Sequence, residues 1–139
     1  MQKVFVDTDV IIDFLIDRKP YSEQAAIILS LSEYKNIQVC VSTLTFANCY
    51  YILKKFSSHS KVIAKLSQLA EIVEIADVTK KAIFNSLKSD FKDFEDAIQN
   101  ETAKTDSQIK VLITRNLKDY KNSDLVILTP ELYLKSLPK

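Results

Sequence analysis

Five short runs rich in β-branched residues, at positions 3–6, 37–41, 73–76, 110–113 and 125–128, are spread along the chain, and every gap between the first four holds at least one helical pattern. Strands kept apart by helices do not pair as hairpins. They enter a parallel sheet through right-handed crossovers, with helices packed on both faces. The expected fold is therefore α/β: a three-layer α/β/α sandwich around a central parallel sheet of about five strands. No composition shift, repeat or low-complexity stretch divides the chain, so residues 1–139 are expected to form a single domain.

Spacing and capping residues place the helices. Ser22 is positioned to cap a helix through Tyr34, and Asn36 follows where a left-handed residue would close it. Leu44, Ala47, Tyr51 and Ile52 recur at core spacing in a helix from Thr43, and Val62, Leu66, Leu69 and Ala70 mark the next, with the serine-rich segment 56–60 as a turn between them. Thr79 caps a helix reaching Leu87, and Phe94, Ala97, Ile98 and Ala103 define another. Thr129-Pro130 puts proline at the first position of a C-terminal helix.

Composition removes whole classes of function. The chain of 139 residues contains no glycine, where average usage would supply roughly ten. Dinucleotide-binding loops, Walker-type phosphate loops, G-x-S-x-G nucleophile elbows and EF-hands all need glycine where backbone turns sharply or approaches a phosphate. All are excluded. Cys40 and Cys49 show no C-x-x-C spacing and His59 is the only histidine, which argues against zinc and for two reduced core thiols in a cytoplasmic protein. The apolar stretch 4–16 is interrupted by Asp7, Asp9 and Asp13, so it reads neither as a signal sequence nor as a membrane span.

Open parallel sheets carry their sites beyond the carboxyl ends of the strands. Strand one runs into Asp7-Thr8-Asp9, strand two into Ser42-Thr43, and strand four into Thr114-Arg115-Asn116 with Asp119 beyond. The helix preceding strand four runs antiparallel to it, so its acidic start, Asp93, Glu95 and Asp96, lies at the same edge. Asp93 and Asp96, three apart, share a helix face. Acids converging there repel one another unless something positive is present, and hard divalent cations take oxygen ligands of this kind; Mg²⁺ or Mn²⁺ is the natural occupant. Taken singly, Asp9, Asp90 and Glu95 are accounted for as acids that favour a helix start. That account does not explain why Asp7, Asp93 and Asp96 should meet.

The segments VFVDTDVIIDFL, SDFKDFEDAIQ and VLITRNLKDY resemble, in order, the three conserved blocks of PIN domains, and STLTFANCYYIL resembles the family's second-block helix. The likeness runs the length of the chain and is to bacterial PIN proteins that serve as toxins in VapC-type toxin–antitoxin pairs. It implies a metal-dependent ribonuclease acting on RNA, with Asp7, Asp93 and Asp96 as metal ligands and Thr114 supporting Asp7 or a ligand water. It also implies a cognate antitoxin, which lays a helix along a groove and occludes the acidic mouth, and pairing as a homodimer. Two positions depart from the pattern: Asn48 stands where the second block usually has glutamate, and Asn116 where the last block often has aspartate. An amide oxygen can ligate a hard cation or order its water, but it brings no charge and cannot act as a base. Asp119, three residues on, is the available substitute, and the set suits one ion rather than two.

RNA also needs positive charge. Lys54, Lys55, Lys61 and Lys65 lie around His59 in a stretch without acids, and Arg115, Lys118 and Lys121 crowd the last block. Arg115 could pair with phosphate through its fork. Tyr50, Tyr51 and Tyr120 could stack on bases, with Tyr51, at core spacing, better explained as packing. A non-catalytic nucleic-acid-binding module of the same fold is the alternative that the two asparagines suggest. A remoter one is an aspartate-nucleophile phosphatase, whose hhhDxDxV opening residues 4–10 also fit, but whose acidic pair should follow strand four instead of preceding it.

Overall fold

The computed structural model describes residues 1–138. Five strands, β1 (Gln2–Val6), β2 (Ile37–Ser42), β3 (Glu74–Ala76), β4 (Ile109–Ile113) and β5 (Val126–Leu128), form one sheet in the order β3-β2-β1-β4-β5. Every neighbouring pair is parallel. The helices are α1 (Thr8–Leu15), α2 (Ser22–Glu33), α3 (Thr43–Leu53), α4 (His59–Ile72), α5 (Lys80–Leu87), α6 (Phe94–Lys104) and α7 (Pro130–Ser136), with a 3-10 turn at Leu117–Tyr120.

Strand residues alternate between two cores, as the two-residue period of a strand requires. Val4, Val6, Val39, Val41, Val111 and Ile113 face a layer built from α1, α2, α3, α4 and α7. Phe5, Cys40 and Leu112 face the opposite way, toward Ala103 of α6 and Tyr120. Because both faces are covered, the central strands read as continuous apolar runs, which is why they stand out in the sequence. Cys40 and Cys49 are unpaired and buried, and burial pushes each thiol up to about 12. No helix among the described residues is long and apolar enough to cross a membrane.

Side-chain caps start most of the helices. Ser42, Ser58, Thr79, Asp93 and Thr129 each accept a backbone N–H from the first turn that follows them. Two local expectations are corrected. Ser22 is the first residue of α2 and not its cap; its hydroxyl donates to Asp17 Oδ1 at 2.8 Å. The left-handed residue that closes α2 is Lys35, with φ 62°, and not Asn36. Lys35 N–H donates to Ser32 O and Asn36 N–H to Leu31 O, the paired bonds of a Schellman ending. Without glycine the chain accepts the steric cost of that conformation, roughly 1–2 kcal/mol, for the two carbonyls it satisfies.

Candidate active site

The sheet order decides where a site can lie. From β1 the chain proceeds outward to β2 and β3 on one side, then crosses to β4 and β5 on the other. The carboxyl ends of β1 and β4 therefore flank the point of reversal, where the connecting segments diverge and leave a crevice. The Asp7 backbone N–H, just past β1, donates to Ile113 O at 2.9 Å, which carries the β1–β4 pairing up to the rim.

Asp7 is held by three donors. Its Oδ1 accepts from Thr8 N at 2.8 Å, while Oδ2 accepts from Thr114 Oγ1 at 2.9 Å and from the Tyr120 hydroxyl at 3.1 Å. Two donors fill Oδ2, so Oδ1 keeps the lone pair to spare. Asp96, in the first turn of α6, approaches the same phenol, with Oδ1 3.4 Å from the hydroxyl. Asp9 accepts from the Arg115 backbone N–H at 3.1 Å through Oδ2, and its buried Oδ1 has no hydrogen-bond partner. Together with Thr8, Asn48, Tyr51, Glu95, Gln99 and Asn116, these carboxylates line a cavity of about 360 Å³ that has no lysine or arginine in its lining.

A polar network, mostly buried, runs from the cavity wall into the interior. Gln99 Nε2 donates to Thr8 Oγ1 and to Thr45 Oγ1, both at 2.9 Å, and its Oε1 accepts from Ser42 Oγ at 2.6 Å. Hydroxyls at and just past the carboxyl ends of β1 and β2 are thereby tied to α6. That bond set fixes the angle at which α6 presents Asp96, since each buried polar group would be left unsatisfied by a different pose.

The structure does not bring all the expected residues together. Asp93 is the cap of α6: its Oδ1 accepts from Asp96 N at 3.0 Å, and it opens with Asp119 on a neighbouring depression that also holds Lys92, Lys118 and Lys121. Asn116 lines the cavity from the β4 side, and Asn48 lines it from α3, its amide donating to Glu95 Oε1. Thr114 is fully buried and faces Asp7, which leaves it no open side for a substrate. Arg115 is not free to meet phosphate. It grips Asp13 with Nε at 2.6 Å and Nη2 at 3.1 Å and lies 4.2 Å over the Tyr21 ring. Tyr120 is completely buried and cannot stack on a base, whereas Tyr51 is 73% exposed at the cavity and not packed in the core.

Three contributors escape the sequence reading. Asp9 was accounted for as a helix-start acid, yet Asp7 takes the capping role and Asp9 turns inward. The D-x-D spacing at the end of a strand is the sequence signal that could mark it. Gln99, one helical turn beyond Asp96, shows itself only as a polar side chain on a buried helix stripe. No sequence signal marks the Tyr120 hydroxyl as a donor to Asp7.

Burial, and after it mutual repulsion, governs the electrostatics of these acids. Burial raises Asp7, against the pull of its donors Thr114, Thr8 and Tyr120. Burial and then the Asp7 charge push Asp9 up to about 7. Asp96 is likewise pushed up to about 7, by burial first and then by Asp7, Asp93 and Asp119. An acid raised from 3.8 to about 7 is more protonated in the folded than in the unfolded chain between those values. Stability therefore falls as pH rises through that window. In chelator, the thermal midpoint is expected to drop between pH 5 and pH 8; a flat or rising midpoint would show that these carboxylates are not in repulsive proximity.

The class defined so far is an α/β/α protein whose site is built from carboxylate side chains at the switch point of a parallel sheet. Residues 3–118 match the PIN domain family, and the chain belongs to that family. It is 30% identical over 138 residues to Ribonuclease VapC1 of Aquifex aeolicus (strain VF5), an alignment covering 94% of this chain and 92% of that protein. The toxin–antitoxin complex from Klebsiella pneumoniae contains a chain that superposes with a TM-score of 0.68 at 25% identity, covering 91% of this chain and 97% of that one. VapBC-1 from nontypeable Haemophilus influenzae gives the same TM-score of 0.68 at 18% identity, covering 94% and 99%.

Proposed function

We propose that the protein is an endoribonuclease dependent on Mg²⁺ or Mn²⁺ and the toxin of a toxin–antitoxin pair, with one or two of the carboxylates Asp7, Asp9 and Asp96 holding the cation. The observation that carries this reading is the convergence of those three carboxylates on one cavity without a basic side chain in its lining. The residues fit a hard cation: Asp7 Oδ1 has a lone pair to spare, and Asp9 has a buried oxygen with no partner. No group of three or more His, Cys, Asp or Glu among the described residues is arranged to hold a metal ion, so the protein would supply one or two carboxylates and water the rest. That suits an ion that keeps several waters and takes only one or two carboxylates.

When bound, such an ion supplies a nucleophilic water and neutralises charge on the scissile phosphate. The protein's own groups orient and polarise the site. Thr114 and Tyr120 fix the Asp7 carboxylate, and Gln99 sets the pose of α6 and thus of Asp96. Asp93 and Asp119, expected to ligate or substitute for a missing acid, act on Asp96 through their charge. Asn116 and Asn48 offer amide groups to a metal-bound water or a phosphate oxygen, and neither can take up a proton as a base.

The ribonuclease name of the Aquifex relative supports RNA as the substrate, and the Klebsiella complex supports an antitoxin partner. Residues 1–139 then act as one domain, paired as a homodimer. The test is cleavage of a labelled single-stranded RNA by the purified chain, expected to require Mg²⁺ or Mn²⁺, to stop in chelator and to return when Mn²⁺ is restored. RNA binding without metal-dependent cleavage would replace this reading with that of a non-catalytic binding module. Mn²⁺ should also raise the melting temperature, because a ligand that binds only the folded state stabilises it.

A further inference from the structure

We propose that Tyr51 is a nucleobase-binding subsite: an unpaired base next to the scissile phosphate stacks on its ring. The inference rests on RNA being the substrate and goes beyond it by naming where a base is gripped. Among the exposed large hydrophobic side chains of the described residues, Tyr51, 73% exposed, is the one that lines the carboxylate cavity. Its neighbour Tyr50 is already engaged, its hydroxyl 2.9 Å from His59 Nδ1 and its ring edge-on to the imidazole. Tyr51 has no aromatic neighbour among the described residues, and its contact is Lys55 Nζ, 5.9 Å from the ring centroid.

The surroundings match one ligand chemistry. The cavity lining has no lysine or arginine, and Lys55, its Nζ over the Tyr51 ring at 5.9 Å from the centroid, supplies positive charge for a polyanion next to it. A flat, exposed π-face with an adjacent ammonium is the combination that holds an unpaired base and its flanking phosphate, and it tolerates any base because every base has a π-face. A paired base has both faces covered within its own helix, so the subsite selects unpaired RNA at the cleavage point.

The sequence contains no tryptophan, so Tyr51→Trp introduces a single, selectively excited tryptophan at the subsite. Tyr34→Trp provides a control: Tyr34 is 74% exposed but stands at the end of α2, just before β2 begins, on the opposite edge of the sheet. A single-stranded oligoribonucleotide added in chelator is expected to quench Trp at 51 and leave Trp at 34 unchanged. In Mn²⁺, Tyr51→Ala is expected to raise KM for the same RNA roughly tenfold with kcat little changed, and Tyr51→Phe to restore the parental KM. The proposal is overturned if Trp at 51 is not quenched, if kcat falls with KM constant, or if Tyr51→Ala alters only self-association or partner binding. Absence of cleavage by the parent protein would remove the nuclease reading while the quenching still decides the subsite.

Discussion

Asp96→Asn is expected to lower RNA cleavage by roughly 10²–10³-fold, the scale lost when a preorganised electrostatic partner of a transition state is removed, and to leave the metal-free protein at least as stable as its parent. Both halves follow from the same geometry. Asp96 stands at the cavity on the first turn of α6, with the Tyr120 hydroxyl 3.4 Å away, and burial first and then the charges of Asp7, Asp93 and Asp119 push its carboxyl up to about 7. An amide keeps the shape and can still accept from the phenol, but it removes the charge that attracts a cation. It also removes the repulsion that the folded protein endures without one, which is the usual sign of a site tuned for function at a cost in stability. Cleavage rates in Mn²⁺ and thermal midpoints in chelator at pH 8 measure the two halves. A variant that loses activity because it unfolds, or one that cleaves at the parental rate, would remove Asp96 from the proposed role.

Arg115→Ala is expected to cost about 3 kcal/mol of folding stability, the lower end of the range for stripping a partner from a buried ion pair. Asp13, on α1, is 1% exposed, and the Arg115 fork meets both of its oxygens, at 2.6 and 3.1 Å. Arg18 Nε, 3.6 Å from Asp13 Oδ1 and half-exposed, offers partial compensation, which places the loss at the lower end. The guanidinium also rests on the Tyr21 ring, so packing is lost with the charge. Arg115→Lys should fall between the two, because an ammonium cannot reproduce the two-point contact. Urea unfolding should show the midpoint moving down by roughly 1–3 M. A midpoint that stays put, combined with a raised KM for RNA, would return Arg115 to the phosphate-binding role that its place in the last block suggests.

The residues that were legible in advance are those whose signal is local. β1, β2 and β4 are buried on both faces, so each appears as an apolar β-branched run wherever it is read. Thr79, Thr129 and Asp93 cap their helices through bonds to residues three positions away, within reach of a sequence pattern. The exposure of Tyr51 is hidden in the sequence for an equally physical reason. The buried stripe of α3 is Thr45, Cys49 and Leu53, but the helix is apolar nearly all round, so hydrophobic spacing does not distinguish its core face from its open one. The ion pair of Arg115 is not legible in the sequence because its partner, Asp13, lies 102 positions earlier in the chain.

What the sequence determined by itself is the class of architecture, the edge of the sheet that bears the site, and the carboxylate chemistry available there. Strand burial, helix caps and the lack of glycine are properties of short segments or of the whole composition, and each survives without knowledge of how the segments meet. Only the tertiary structure decided which polar groups share the cavity. It turned Asp9 inward, placed the Tyr120 phenol between Asp7 and Asp96, moved Asp93 to the rim as a cap and left Tyr51 open beside the carboxylates. Those assignments depend on contacts between β1, α3, α6 and the segment after β4, whose geometry is set by packing across the sheet and by buried hydrogen bonds that tolerate one arrangement.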